Sequence, residues 1–149
     1  MKIYLAGSCS SEDRTVMRQI ANKLRDETNG DVYCPFELQI PDAWSMSQED
    51  WAQKVFEADI KAIDAADLVI LISPGRESTA GTNWEQGYAY ATGKTVYVFQ
   101  TTEKPTSLMT YCGCNLFFSV GRDRDLNACI EHALYGRSLV KEPCYTVLT

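Results

Sequence analysis

One stretch of this chain, Asp67-Leu-Val-Ile-Leu-Ile72, limits its fold more than any other. It runs without a polar residue after Asp67, is rich in β-branched side chains and stops at Ser73-Pro74-Gly75. Side chains alternate between the two faces of a strand, so a strand of this composition is apolar on both. Such a strand is stable inside a parallel sheet that helices cover on each side.

The flanking sequence supplies the other strands and their covers. Lys2–Ala6, Asp31–Cys34, Thr95–Phe99 and Leu116–Val120 read as further short strands. Helical patterns lie between them. Glu12–Asp26 repeats Val16, Ile20 and Leu24 every four residues and ends at Asn29-Gly30. Gln48–Ala65 carries an apolar stripe of Trp51, Val55, Phe56, Ile60 and Ile63, Thr82–Thr92 stops at Gly93, and Asp123–Tyr135 is the last helix. A helical turn is expected at Ser107–Thr110, and residues 36–47 form a loop long enough to cover a site. The alternation predicts an α/β fold: a flavodoxin-like, doubly wound five-stranded parallel sheet with helices on both faces. No linker or repeat divides residues 1–149, which read as one domain, although the tail from Arg137 has no clear period.

Composition narrows the function classes. Against 20 Asp and Glu stand 14 Lys and Arg, a net charge of −6, so the concentrated basic face that nucleic acid requires is not expected. No apolar run reaches the roughly 18–20 residues of a membrane span, and Ile3–Ala6 is too short for a signal-peptide core. The six cysteines are scattered, which suggests reduced thiols and a cytoplasmic location. Cys112-Gly-Cys114 is one residue short of a CxxC pair, and His132 is the single histidine. A zinc site and a Ser-His-Asp triad are therefore poorly supplied, and neither metal nor cofactor is expected.

Ligands of open α/β sheets bind at the carboxyl ends of the strands. The richest segment there is Ser73–Ala89, which follows the best strand. Glu85 stands three residues after Thr82, a spacing with two readings. It can close a capping box on Thr82 as N-cap, or present a carboxylate upward beside Tyr88, one turn further on. Asp59 falls on the apolar stripe of its helix, between Phe56 and Ile63. A buried unpaired carboxylate is costly, so Asp59 either reaches solvent, pairs with a cation such as Lys61, or has a task. Asp67 reads as a strand-leading residue that bonds the turn before it. Gly7-Ser-Cys-Ser-Ser11 is a hydroxyl-rich loop opening a helix, suited to an anion or simply to capping, and it is neither GxGxxG nor GxxxxGK[ST].

Taken in order, Lys2-Ile-Tyr-Leu-Ala-Gly7, Asp59 eight residues ahead of Asp67-Leu-Val-Ile, Gly81-Thr-Asn-Trp-Glu-Gln-Gly-Tyr-Ala89 with Gly93-Lys94, and Lys104-Pro-Thr-Ser-Leu-Met109 resemble the nucleoside 2-deoxyribosyltransferase family, which includes the 2'-deoxynucleoside 5'-monophosphate N-hydrolases. The resemblance spans about residues 2–120. It implies Glu85 as the nucleophile toward the anomeric carbon, Asp59 as the carboxylate that assists with the leaving base and sugar hydroxyl, and Tyr4 beside the nucleophile. Tyr88, one helical turn from Glu85, is expected to orient it. Substrate contacts are further implied at Gly7, Ser8, Gly81 and Met109, and Phe36 or Trp44 of the long loop either stacks on the base or fills the core.

Two positions depart from the transferase pattern. Thr79 stands where transferases usually carry Asp, and Ser107 where they more often carry Asn. With Ser8 these make a hydroxyl set that either suits a 5'-phosphate, Ser107 reaching it from a neighbouring subunit, or consists of ordinary turn hydroxyls, and Ser10 replaces an arginine of the hydrolase loop. The resemblance thus implies cleavage of a 2'-deoxynucleoside or its 5'-monophosphate through a deoxyribosyl-Glu85 intermediate, with transfer to another nucleobase. The alternatives are a monophosphate N-glycosidase with water as acceptor, and a nucleotide-binding or sensing module without catalysis. Family sites are completed by a neighbouring subunit, so a dimer or higher homo-oligomer with shared sites is expected.

Overall fold

The computed structural model describes residues 1–9, 13–75, 78–119 and 126–135. Strands β1 (Lys2–Ala6), β2 (Asp31–Tyr33), β3 (Leu68–Ser73), β4 (Thr95–Gln100) and β5 (Leu116–Ser119) pair in parallel in the order β2-β1-β3-β4-β5. This is the flavodoxin-like order, and it reverses between β1 and β3. The helices are α1 (Arg14–Thr28), α2 (Gln48–Ala65), α3 (Ala80–Ala91), α4 (Leu108–Cys112) and α5 (Leu126–Tyr135). None of the described helices is long and apolar enough to cross a membrane.

Strand parity splits the core in two. Ile3, Leu5, Ile70, Ile72, Phe99 and Phe118 pack with Met17, Ile20 and Leu24 of α1 and Ile130 of α5. Tyr4, Ala6, Val69, Leu71, Val98 and Phe117 face the other way, toward Ile63 of α2 and Ala89 of α3. All six residues of β3 are buried, as its unbroken apolar run requires, each large side chain contributing about 1.5–3 kcal/mol. The same parity puts the Tyr4 side chain on the α2–α3 face, while Ile3 and Leu5 point the other way.

Several local expectations are corrected. Met17 rather than Val16 begins the buried face of α1, and Val16 is exposed. In α2 only Ile63 of the expected stripe is fully buried. Trp51, Val55, Phe56 and Ile60 line an open cavity instead, because α3 starts too late in the fold to cover them. The N-cap of α3 is Thr79, not Thr82: its Oγ1 accepts from the Thr82 amide at 3.3 Å. Segment 35–47 contains two short 3-10 turns, Pro35–Glu37 and Ala43–Ser45. There Phe36 packs on the core with the Arg18 guanidinium 5.8 Å above its ring, while Trp44 is 87% exposed. The expectations for Ser10, Val120, residues 123–125 and the tail from Arg137 lie outside the described residues.

The exit from β3 is tightly specified. Gly75 has φ +80°, and a Cβ there would lie 2.9 Å from the carbonyl oxygens of both Lys104 and Pro105. Gly75→Ala combines a left-handed backbone with a backbone clash and is expected to destabilise the protein by about 1–3 kcal/mol, read as a lower urea midpoint.

Candidate active site

Glu85 and Asp59 converge on one cavity of about 420 Å³ between α2 and α3, with Gly81, Trp84, Phe56 and Trp51 among its other walls. Each carboxylate accepts a hydrogen bond from a tyrosine of the sheet. The Tyr4 hydroxyl donates to Glu85 Oε1 at 2.9 Å, and the Tyr33 hydroxyl donates to Asp59 Oδ1 at 2.8 Å. Tyr4 and Tyr33 are register partners on β1 and β2, so their rings emerge on the same face and stack with centroids 5.4 Å apart. Glu85 is in the second turn of α3, beyond reach of a capping role, and the capping-box reading is set aside.

Burial raises Glu85 from its ordinary 4.5 to about 7; the Tyr4 hydroxyl opposes that rise, and the charge of Asp59 adds to it. Burial also raises Asp59, against the opposing hydrogen bond from Tyr33. Both tyrosines are pushed strongly upward, chiefly by burial and then by the two carboxylates, so they remain protonated donors. The Cys9 thiol is raised by burial, then by Glu85 and Asp59, which puts the loop after β1 at the rim of the site. Carboxylates that share a cavity titrate as a unit, and within this pair Glu85 holds its proton to about pH 7.

The half-exposed aromatics follow from helix register. Both helices return from the carboxyl edge of the sheet. Asp59 is the twelfth residue of α2, whereas Glu85 is the sixth of α3. The first turns of α2 therefore overhang the start of α3 by about six residues, roughly 9 Å. On this overhang, Trp51 and Phe56 form an apolar wall next to the carboxylates, and Phe56 meets Trp84 at 5.4 Å.

The profile of the nucleoside 2-deoxyribosyltransferase family matches residues 3–137. The chain belongs to that family. It is an enzyme of this kind, and its sheet order is the family's fold. A 2-deoxyribosyltransferase from the psychrotolerant bacterium Bacillus psychrosaccharolyticus is 28% identical, with a TM-score of 0.70 over 87% of this chain and 96% of that one. The CMP N-glycosidase BcmB of Clostridium botulinum, 20% identical with a TM-score of 0.59 over 91% of this chain and 99% of that one, shares the fold. Among curated proteins no sequence match emerged.

Within this family member, the expected site residues separate into groups. Glu85, Asp59, Tyr4 and Gly81 are brought together. Tyr88 is not with them: its hydroxyl donates to Asp64 Oδ1 at 2.9 Å and its ring stacks on Trp84, so it does not orient Glu85 as expected. Gly7 is buried where a Cβ would meet the Met17 sulfur at 2.5 Å, which makes it a packing position. Ser8 lines a separate 220 Å³ cleft with Asp13, Met17 and Thr101. Thr79 caps α3, its hydroxyl 2.7 Å from that of Thr82. Ser107 caps α4 and, with Met109, lines a 500 Å³ groove on the far side of α3 beside Asn83, Gly87 and Tyr90. Gln86 holds that arrangement, donating to the carbonyls of Thr110 at 2.8 Å and Gly113 at 3.0 Å. None of the three hydroxyl residues lines the Glu85 cavity. Phe36 and Trp44 do not line it either, and Asp67 accepts from the Lys2 amide at 2.7 Å at the opposite end of β3. Among the described residues no group of His, Cys, Asp and Glu could hold a metal ion.

The residue missed in the sequence is Tyr33. Its signal was present: a tyrosine on the second strand, at the same strand position as Tyr4 on the first.

The raised Glu85 has a stability consequence with a definite sign. Between pH 4.5 and about 7 the folded protein holds a proton that the unfolded chain has lost, so stability falls as pH rises through that window. Glu85→Gln removes this liability while keeping an acceptor for Tyr4. It should match the wild type at pH 4.5 and exceed it by on the order of 2–3 kcal/mol at pH 8, measured by urea unfolding at both pH values.

Proposed function

We propose that the protein cleaves the N-glycosidic bond of 2'-deoxynucleosides through a covalent deoxyribosyl-Glu85 intermediate and transfers the sugar to a second nucleobase. The reading rests on one observation above all: two tyrosine-bonded carboxylates, unlike in burial, share a cavity of nucleoside size with an aromatic wall. In the first step the single proton of the pair passes from Glu85 to Asp59, the ionised Glu85 oxygen bonds to C1' as the C1'–N bond breaks, and the proton on Asp59 goes to the departing base. In the second, the incoming base attacks C1', returns its proton to Asp59 and releases Glu85 as a carboxylate. Tyr4 holds the nucleophile, Gly81 leaves room beside it, and the Trp51–Phe56–Trp84 wall offers stacking surface to a base.

Free nucleosides are favoured over 5'-monophosphates because neither Ser8, in a separate cleft, nor Thr79, which caps α3, lines the Glu85 cavity. Ser107 and Met109 would reach a site by serving a neighbouring subunit. The exposed face of α3, with Asn83, Trp84, Gly87 and Tyr90, carries no charge and adjoins exposed Leu108 and Met109, which suits burial against a second copy. The protein is expected to be a dimer or larger by light scattering, and Tyr90→Asp should lower its mass to that of a monomer and reduce turnover.

Incubation with a deoxynucleoside and a second free base tests the chemistry. Base exchange is expected, together with a deoxyribosyl adduct on the Glu85 peptide, and Glu85→Ala should abolish both. Base release from monophosphates alone would replace transfer with hydrolysis, and ligand binding without turnover would favour a sensing module. A natural donor needs one proton in the pair, so its turnover should fall above about pH 7. A donor whose leaving heterocycle departs as a stable anion needs only ionised Glu85, and its turnover should rise through the same pH.

A further inference from the structure

Tyr33 has no role in the steps above, yet it is the sole described side chain that hydrogen-bonds Asp59. Its hydroxyl donates to Oδ1 at 2.8 Å, which leaves Oδ2 outside that bond on a residue that lines the cavity shared with Glu85. The ring stacks on Tyr4 at 5.4 Å with planes only 17° apart, so the donors to the two carboxylates brace one another across β1 and β2. One side of Tyr33 borders a separate pocket with Lys2, Lys61 and Ala62, outside the reacting centre. From this geometry we infer that Tyr33 is a positioning residue for proton delivery: it fixes the Asp59 carboxyl group so that Oδ2 carries the proton to the leaving base. The inference rests on the reading of Glu85 and Asp59 as the reacting pair.

The balance of the step is simple. Tyr33 keeps its own proton throughout and donates one hydrogen bond to Oδ1. The proton that moves is the one on Asp59 Oδ2, and it goes to the base nitrogen that receives the electron pair of the breaking C1'–N bond. A fixed carboxyl group matters in proportion to how much the leaving group needs that proton. Loss of the Tyr33 hydroxyl is therefore felt on a poor leaving group and largely spared on a good one. A role confined to packing would affect both alike.

The experiment compares two donors on the intact protein: a natural deoxynucleoside, and a deoxyribosyl donor whose acidic heterocycle leaves as an anion. Tyr33→Phe keeps the ring and its stack on Tyr4. It should lower kcat on the natural donor by at least about tenfold and on the acidic donor by less than about threefold, with KM little changed. Asp59→Asn should show the same selectivity for the donor. Tyr33→Leu, which also removes the stack that supports Tyr4 and hence Glu85, should lose activity on both. Equal losses in Tyr33→Phe on the two donors, with wild type active on both, overturn the inference and leave the proposed function standing. A wild type inactive on both donors overturns the reading of the pair, and this inference falls with it.

Discussion

A carboxylate held against the face of a sheet is the constraint around which this molecule is arranged. Glu85 sits where water is scarce, and burial alone pushes it toward neutrality. Without the Tyr4 hydroxyl it would be a buried anion with no donor, and the fold would favour its neutral form still more. The bond in turn demands that β1 direct Tyr4 toward α2 and α3 while Ile3 and Leu5 fill the opposite core. A one-residue slip of β1 would exchange those faces and dissolve the site.

The second carboxylate repeats the device one strand further out. Tyr33 serves Asp59 as Tyr4 serves Glu85, and the two rings lean on each other. Differences between the pairs are small in geometry but large in setting. Glu85 is more deeply enclosed and feels the charge of Asp59, so it retains its proton to a higher pH than a surface glutamate. Unlike environments for two neighbouring acids are what acid–base chemistry at neutral pH requires. They also cost stability, in keeping with the tendency of functional sites to sit on groups the fold would rather neutralise.

Strand and helix boundaries were legible because they depend on local composition. The solid run of β3 demanded a covered parallel sheet, and glycine, proline and asparagine punctuated the rest. Errors arose where a pattern was correct but its partner was not. The stripe of Trp51, Val55, Phe56 and Ile60 has the period of a buried face, yet α3 begins too far down to cover it. Periodicity reports which side of a helix is apolar, and only packing decides what that side meets. Thr82 likewise had the spacing of an N-cap, while Thr79 took the role because helix entry depends on the backbone angles of the preceding loop.

By itself the sequence determined the α/β architecture and, through the order and spacing of its motifs, the family, and it singled out Asp59 and Glu85 as candidates. Tertiary structure alone decided that Tyr33 belongs with Asp59, that Tyr88 turns away to Asp64, and that Ser107 lies across α3 from Glu85. The reason is the same in each case. Strand parity and helix rotation set the direction of a side chain, and a neighbour 26 or 24 residues away in sequence becomes a partner only after the sheet has set the register between them.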